Sequence, residues 1–178
     1  FQMVYYRTDV LSSNGLQPPK TWEDYLDVAS KIHGQDMNGD GEGDFGSCIF
    51  KKRNAQSYFA IQTFAAPIVQ TQGTAQGFHF DNSNMKPIIN NDGWKKAFEL
   101  YKATGKYGPP DELNMDIGDT RALFKAGRCG LIVEWGDPGT LQLDDDASAI
   151  KGKMYAISAV GSKEVLDRAT GKLVPVSA

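Results

Sequence analysis

The sequence predicts an α/β fold, a mostly parallel sheet flanked by helices, organised as a single domain over residues 1–178. Two observations carry this expectation. Segments with a helical apolar period alternate along the chain with short strand-like runs such as "CIF" and "LIVEW". Those runs are continuously apolar instead of alternating with polar residues, the pattern of strands covered by helices on both faces. In such sheets ligands meet the carboxyl ends of the strands, so the residues after "CIF" and after "LIVEW" are where function is sought.

The elements follow in order. After an extended opening, "MVYYR", Asp9 is placed to cap a short helix ending at Gly15, and "LQPPK" forbids further helix until Thr21. Thr21 and Asp24 have the spacing of a capping box, and Trp22, Tyr25, Leu26, Ala29 and Ile32 recur on one face of a helix ended by Gly34. An acidic loop leads to the strand "CIF". A helix then runs from about Gln56 to Ala66, closed by Pro67 and showing little polar surface. Gln70 to Asn91 reads as surface loop around a small strand or hairpin at "GFHFD". Asp92 is placed to cap a helix carrying Trp94, Ala97, Phe98 and Tyr101 on one face, ended by Gly105. After a loop, Asp119 is placed to cap a helix that carries Leu123 and Phe124 and stops at Gly127. The strand "CGLIVEW", the turn "GDPGT", a short acidic helix or loop and the strand "KMYAISAV" complete the pattern.

Composition narrows the function classes. With 178 residues, 40% of them hydrophobic and 11% aromatic, the chain has the material for one sizeable core. A net charge of -3 with both signs interspersed offers no basic footprint for nucleic acid and no electrostatic membrane patch. No apolar run approaches a bilayer span, and the opening residues lack the organisation of a signal peptide. The chain starts at Phe1 without an initiating Met, as a piece of a longer protein would. The two cysteines, Cys48 and Cys129, fall in apolar runs and form no CxxC pair; they read as buried thiols or as a disulfide, the latter requiring an oxidising compartment.

The most conspicuous stretch is "DMNGDGEGDFGS", Asp36 to Ser47. With Asp36 as position 1 of a calcium loop, Asn38, Asp40 and Asp44 supply oxygens at positions 3, 5 and 9, Glu42 its carbonyl at position 7, and Gly41 the sharp turn at position 6. Position 12 is Ser47, so the usual bidentate Glu is missing. The loop reads either as a structural calcium clamp or as a polar loop without metal. Catalysis is less well supported. Asp111, Glu112, Asp116, Asp119, Glu134 and Asp137 could contribute a carboxylate pair for glycoside hydrolysis, but surface carboxylates are more often solvated charges or helix caps. His33 and His79 read as a helix end and a strand surface.

Several segments together resemble one family. "YYRTDVLSSNGLQPPKTWEDYLDVASKI", "DMNGDGEGDFGSCIF", "FDNSNMKPIINNDGWKKAFELYKATGKYGPP", "ALFKAGRCGLIVEWGD" and "VGSKEVLDRATGKLVP" are similar, in that order, to segments of the family 1 extracellular solute-binding proteins, the receptors of carbohydrate ABC importers. A complete member has two α/β lobes with ligand closed between them. The resemblance implies a type II periplasmic-binding-protein fold represented by the second lobe, the first being largely absent, and a departure at Gly130, where the family commonly has Ala.

Carried to this sequence, the resemblance makes Lys51, Arg53, Asn54, Gln56 and Tyr58 after "CIF", and Glu134, Trp135 and Asp137 after "LIV", the ligand-facing set. Tyr58 and Trp135 would offer ring faces to a pyranose, and Asn54, Gln56, Glu134 and Asp137 would satisfy hydroxyls. The competing reading of Trp135 is a buried strand-end aromatic, and Trp22 and Trp94 read as core. The implied function is non-catalytic binding of a sugar-like solute, outside the cell or in the periplasm, with a second lobe and transporter or receptor subunits as partners. The rival functions are a sensor ectodomain of a membrane receptor and a calcium-stabilised interaction domain with a vestigial cleft.

Overall fold

The structure, a computed structural model, describes residues 2–71, 73–136, 138–140 and 146–176. Its centre is a four-stranded sheet in the order β2-β3-β1-β4, formed by β1 (Met3–Arg7), β2 (Phe45–Cys48), β3 (Cys129–Glu134) and β4 (Met154–Ser158). The sheet is mixed, not mostly parallel: β2 and β3 run parallel, while β1 is antiparallel to both of its neighbours, β3 and β4. Continuous apolarity reports burial on both faces, which β2 and β3 have whatever the strand direction, while the edge strand β4 is partly exposed.

The helices are α1 (Thr8–Ser13), α2 (Trp22–Ile32), α3 (Ser57–Val69), α4 (Asp92–Thr104) and α5 (Ile117–Lys125). Val4, Leu131 and Val133 face a large core made with α2, α3 and α4. Tyr5, Cys48, Cys129 and Ile132 join Phe124 of α5 and Ile150 in a smaller cluster. A hairpin, β5 (Glu164–Asp167) and β6 (Lys172–Pro175), is held to α2 and α4 by Lys96, which pairs with Glu23 at 2.9 Å and Glu164 at 2.6 Å.

Local rules explain the boundaries. The capping box of α2 is present, with Asp24 N donating to Thr21 Oγ1 at 3.1 Å and Thr21 N donating to Asp24 Oδ2 at 3.2 Å. At α5 the cap is Asp116 rather than Asp119, which instead occupies the reciprocal position of a second capping box. At α4 it is Asn91 rather than Asp92, accepting from Trp94 N at 3.0 Å. Asp9 caps nothing; it lies in the first turn of α1 with its carboxylate on Arg7. Pro67 sits inside the last turn of α3, where its missing N–H forfeits one bond and the helix continues to Val69. The strand expected at "CIF" ends at Cys48 and starts earlier, through Gly46. A Cβ at Gly46 would come within 2.0 Å of Ala29 O, so this turn-like residue is what lets β2 lie against α2. Gly130 has a similar role in β3, its missing side chain replaced by Ile32, whose Cδ1 would lie 2.2 Å from a Cβ there. Phe98, expected on the buried face of α4, is half exposed, and Leu100 is buried instead.

Candidate functional site

The parallel pair β2 and β3 has two ends with different chemistry. At the amino ends lies the acidic loop. Asp36 accepts from Gly39 N at 2.6 Å, Asp40 N at 3.2 Å and Gly41 N at 2.9 Å. Asp40 accepts from Glu42 N at 2.9 Å and Asn38 Nδ2 at 3.0 Å. Asp44 is fully buried, with one oxygen on Met37 N at 2.7 Å and the other on Arg128 Nε at 2.9 Å. Glu42 is exposed, and the Ser47 hydroxyl is 2.8 Å from Tyr25 Oη inside the core. The oxygens of the expected calcium set thus face amides and a guanidinium within the protein. Among the described residues no three His, Cys, Asp or Glu side chains converge as a metal cluster.

At the carboxyl ends the arrangement is open. Trp135 follows β3, and both of its backbone polar groups are held by side chains. Its N–H donates to Glu134 Oε1 at 2.7 Å, and its carbonyl accepts from Tyr5 Oη at 2.7 Å. Glu134 is buried, with its other oxygen accepting from Arg121 Nε at 2.8 Å. The Trp135 ring lies nearly parallel to Phe50 at 5.5 Å and edge-on to Phe59 at 5.3 Å. The Tyr58 ring is 4.1 Å from Phe59 and half exposed. Phe50, Trp135, Phe59 and Tyr58 therefore form a continuous aromatic shelf, with Trp135 itself partly exposed.

The remaining expected ligand-facing residues separate into groups. Arg53 and Asn54 are exposed at the tip of the loop before α3, Asn54 with φ +62°, and Gln56 is partly buried at the α3 cap position with no capping bond from its side chain. Lys51 is buried in an ion pair with Glu112 and donates to Thr104 Oγ1 at 2.9 Å. Burial pushes the Lys51 ammonium below its ordinary range and the Glu112 carboxyl above its own, each shift opposed by the partner charge. Glu112 also accepts from Ile49 N at 2.8 Å, so this pair fixes the chain leaving β2. Glu134 serves Trp135 and Arg121. Asp137 lies outside the described residues.

Of the carboxylates weighed as an acid–base pair, Glu112 and Glu134 are thus bound to separate cations, Asp116 and Asp119 form a capping box, and Asp111 accepts from Asn114 Nδ2. Trp22 is buried against Phe64 and Trp94 against Phe78, both in the core as expected.

Residues that sequence reasoning passed over form a second feature. A hollow of about 450 Å³ is lined by Phe59, Gln62, Thr63, Gln70, Phe78 and Val160, among others. Its Val160 lies at the same end of the sheet as Trp135, since Met3 pairs with both Glu134 and Ser158, and Val160 follows β4. The available signal was the composition of α3, apolar or uncharged all round, which asks for cover on two faces.

A family model for bacterial extracellular solute-binding proteins matches residues 1–167. The chain belongs to the bacterial extracellular solute-binding proteins. Solved structures agree on the fold of this solute-binding protein. A ribitol-bound ABC transporter solute-binding protein from Agrobacterium radiobacter superposes with TM-score 0.76 at 21% identity, over 92% of this chain and 38% of that one. A D-mannitol-bound counterpart from Agrobacterium vitis gives 0.73 at 22% identity, over 99% and 41%. A maltose-bound protein from T. maritima gives 0.71 at 22% identity, over 90% and 38%. This solute-binding protein thus spans about two fifths of the length of those chains and has the fold of one lobe of a periplasmic-binding-protein type. Among the described residues no helix is long and apolar enough to cross a membrane.

Proposed function

We propose that the chain is the second lobe of a receptor that binds a sugar or sugar alcohol without chemistry and delivers it to an ABC importer. The observation that carries this reading is the fixed, partly exposed Trp135 at the carboxyl end of β3, continued by Phe59 and Tyr58 into a shelf of rings. Ring faces match the C–H faces of a polyol or pyranose, and a pre-set aromatic loses little entropy on binding. Gln56, Asn54 and Arg53 stand on the loop beside the shelf to meet hydroxyls. The ribitol, mannitol and maltose bound to the similar structures support the same solute class. The rest of the protein supplies a second lobe, and a solute touching both lobes only when they are shut shifts the open and closed populations. The Cys48–Cys129 disulfide supports a location outside the cell or in the periplasm, where such bonds persist.

The test is titration of the full-length protein with sugars, sugar alcohols, amino acids and polyamines, followed by calorimetry and tryptophan fluorescence. Saturable heat with the first two classes is expected; response to amino acids or polyamines alone would reject the reading. For the acidic loop we propose calcium as a structural ion taken up by exchange of the amide partners of Asp36 and Asp40. The residue spacing supports this, and melting in calcium against chelator tests it.

A further inference from the structure

We propose that Tyr5, Glu134 and Arg121 are positioning residues for the solute, acting on it through the ring of Trp135. This rests on the aromatic shelf being the solute site and adds to it three residues that do their part from behind the ring. The β1–β3 ladder reaches Met3–Glu134, so Trp135 lies one residue beyond the paired part of β3. Side chains take over there, Glu134 Oε1 accepting from the Trp135 N–H and Tyr5 Oη donating to its carbonyl, each at 2.7 Å. Holding the N–H sets the plane of the peptide before Cα, and holding the carbonyl sets the plane of the one after it. Together they set φ and ψ of residue 135 and hence the direction of its Cα–Cβ bond. The ring torsions that remain are limited by Phe50, nearly parallel at 5.5 Å, and Phe59, edge-on at 5.3 Å. A ring fixed in this way has little freedom left to lose when a solute arrives.

The local sequence explains how the three residues meet. α5 ends at Lys125, the chain turns, and β3 begins at Cys129, which brings Arg121 beside Glu134, 13 residues later. Phe124, one turn on from Arg121, is buried in the cluster with Ile132 and so fixes the face of α5 that Arg121 shares. The Glu134 side chain is 1% exposed, and a carboxylate so buried needs a counter-charge, which Arg121 Nε supplies at 2.8 Å. Without that cation the carboxylate would take up a proton or turn toward water, and either change loosens its hold on the Trp135 N–H. Arg121 therefore reaches Trp135 through Glu134. One Glu134 oxygen serves Trp135 and the other serves Arg121, which sets this residue apart from one that meets solute hydroxyls. Tyr5 comes from the middle of the sheet, its backbone paired with Ile132 and Ala156, so its phenol is anchored before it reaches the Trp135 carbonyl.

The experiment is a set of double-mutant cycles on the full-length protein, read by calorimetry with ribitol, D-mannitol and maltose as probes. Y5F and R121M are each expected to weaken binding about three- to tenfold in the native background and to have an effect within about twofold in W135A, where no ring is left to position. R121M/E134Q is expected to recover most of the R121M loss, since Gln still accepts from the Trp135 N–H and carries no charge to bury. With 5-fluorotryptophan incorporated, the fluorine NMR line that W135F removes is expected to shift or broaden in Y5F, while the lines of Trp22 and Trp94 stay. Silent Y5F and R121M, losses of equal size in both backgrounds, or a Trp135 line untouched by Y5F would overturn the inference and leave the shelf reading standing. W135A binding the probes as the native protein does, or a native protein that binds none of them, would overturn the shelf reading and the inference with it.

Discussion

The two ends of the parallel pair β2 and β3 are unlike in the way they use polar chemistry. At the amino ends Asp36, Asp40 and Asp44 point to backbone amides and Arg128, and the loop closes on itself. At the carboxyl ends Glu134 and Tyr5 are also fully engaged, but on the backbone of Trp135, so that a ring is fixed while part of it remains accessible. Density of chemically able residues therefore says little about availability. What matters is whether neighbours satisfy those residues for their own sake or hold something else in place. The comparison predicts a dissociation: changes at the amino ends alter stability, and changes at the carboxyl ends alter affinity.

The largest expected effect concerns the link between the two ends. The disulfide joins Cys48, at the carboxyl end of β2, to Cys129, at the amino end of β3, across 81 residues of sequence. Loop-closure entropy puts its contribution at about 4.5 kcal/mol, so a C48S/C129S double variant should lose about that much in denaturant unfolding. Solute affinity at 25 °C should stay within about twofold, because the loss arises mainly in the unfolded state.

Asp44→Ala should come next. It leaves Met37 N without its acceptor and Arg128 without its buried partner, at a cost of roughly 2–3 kcal/mol, discounted for the partial exposure of Arg128. Solute affinity should be unchanged. Trp135→Ala should invert this pattern, lowering affinity tenfold or more, about 1.4 kcal/mol, while costing about 1 kcal/mol of stability through the lost contacts with Phe50 and Phe59. If Asp44→Ala lowered affinity as much as Trp135→Ala did, the division between the two ends would fail. Calcium sharpens the same division. Extracellular sites of this kind are weak, so millimolar calcium should add about 1 kcal/mol, or roughly 2–4 °C in Tm, and Asp40→Ala should abolish the rise. No rise in the native protein would remove the metal from the account.

The fold was legible where one residue type has one meaning. Thr21 with Asp24 located α2, Gly34 ended it, and the apolar runs marked buried strands. Errors came where several neighbouring residues compete for one role, as at the caps, where Asn91 and Asp116 displaced Asp92 and Asp119. Strand direction was hidden because burial on both faces erases the pattern that distinguishes parallel from antiparallel. In the site, the family resemblance pointed to Trp135 and Tyr58, and the structure brings each of their rings against Phe59. The engagement of Lys51 by Glu112 could not be read from the sequence, since 61 residues separate them and only packing brings them together. On α3 the excess of apolar residues was visible, but which half faced the core required the structure.

Acidification should produce the smallest effect, with opposite signs at the two ends. Near the loop, burial tends to raise the Asp9 carboxyl, but the hydrogen bonds and charge of Arg7 prevail and hold it below the ordinary range. Arg7 in turn donates to Met37 O and Gly127 O, both at 3.0 Å, so this pair steadies the loop. A depressed folded pKa contributes stability above the unfolded value, near 3.9, that disappears as pH falls through the folded value. Near the cleft, burial raises Glu112 despite Lys51, and a raised folded pKa contributes stability below the unfolded value, near 4.3, that is lost as pH rises through the folded one. Hydrogen-exchange protection, corrected for intrinsic rates, should therefore fall over residues 36–44 between pH 5 and pH 3 and hold or rise around Ile49 to Lys52. A uniform loss of protection at both ends would show that the two are coupled more strongly than their separate partners imply.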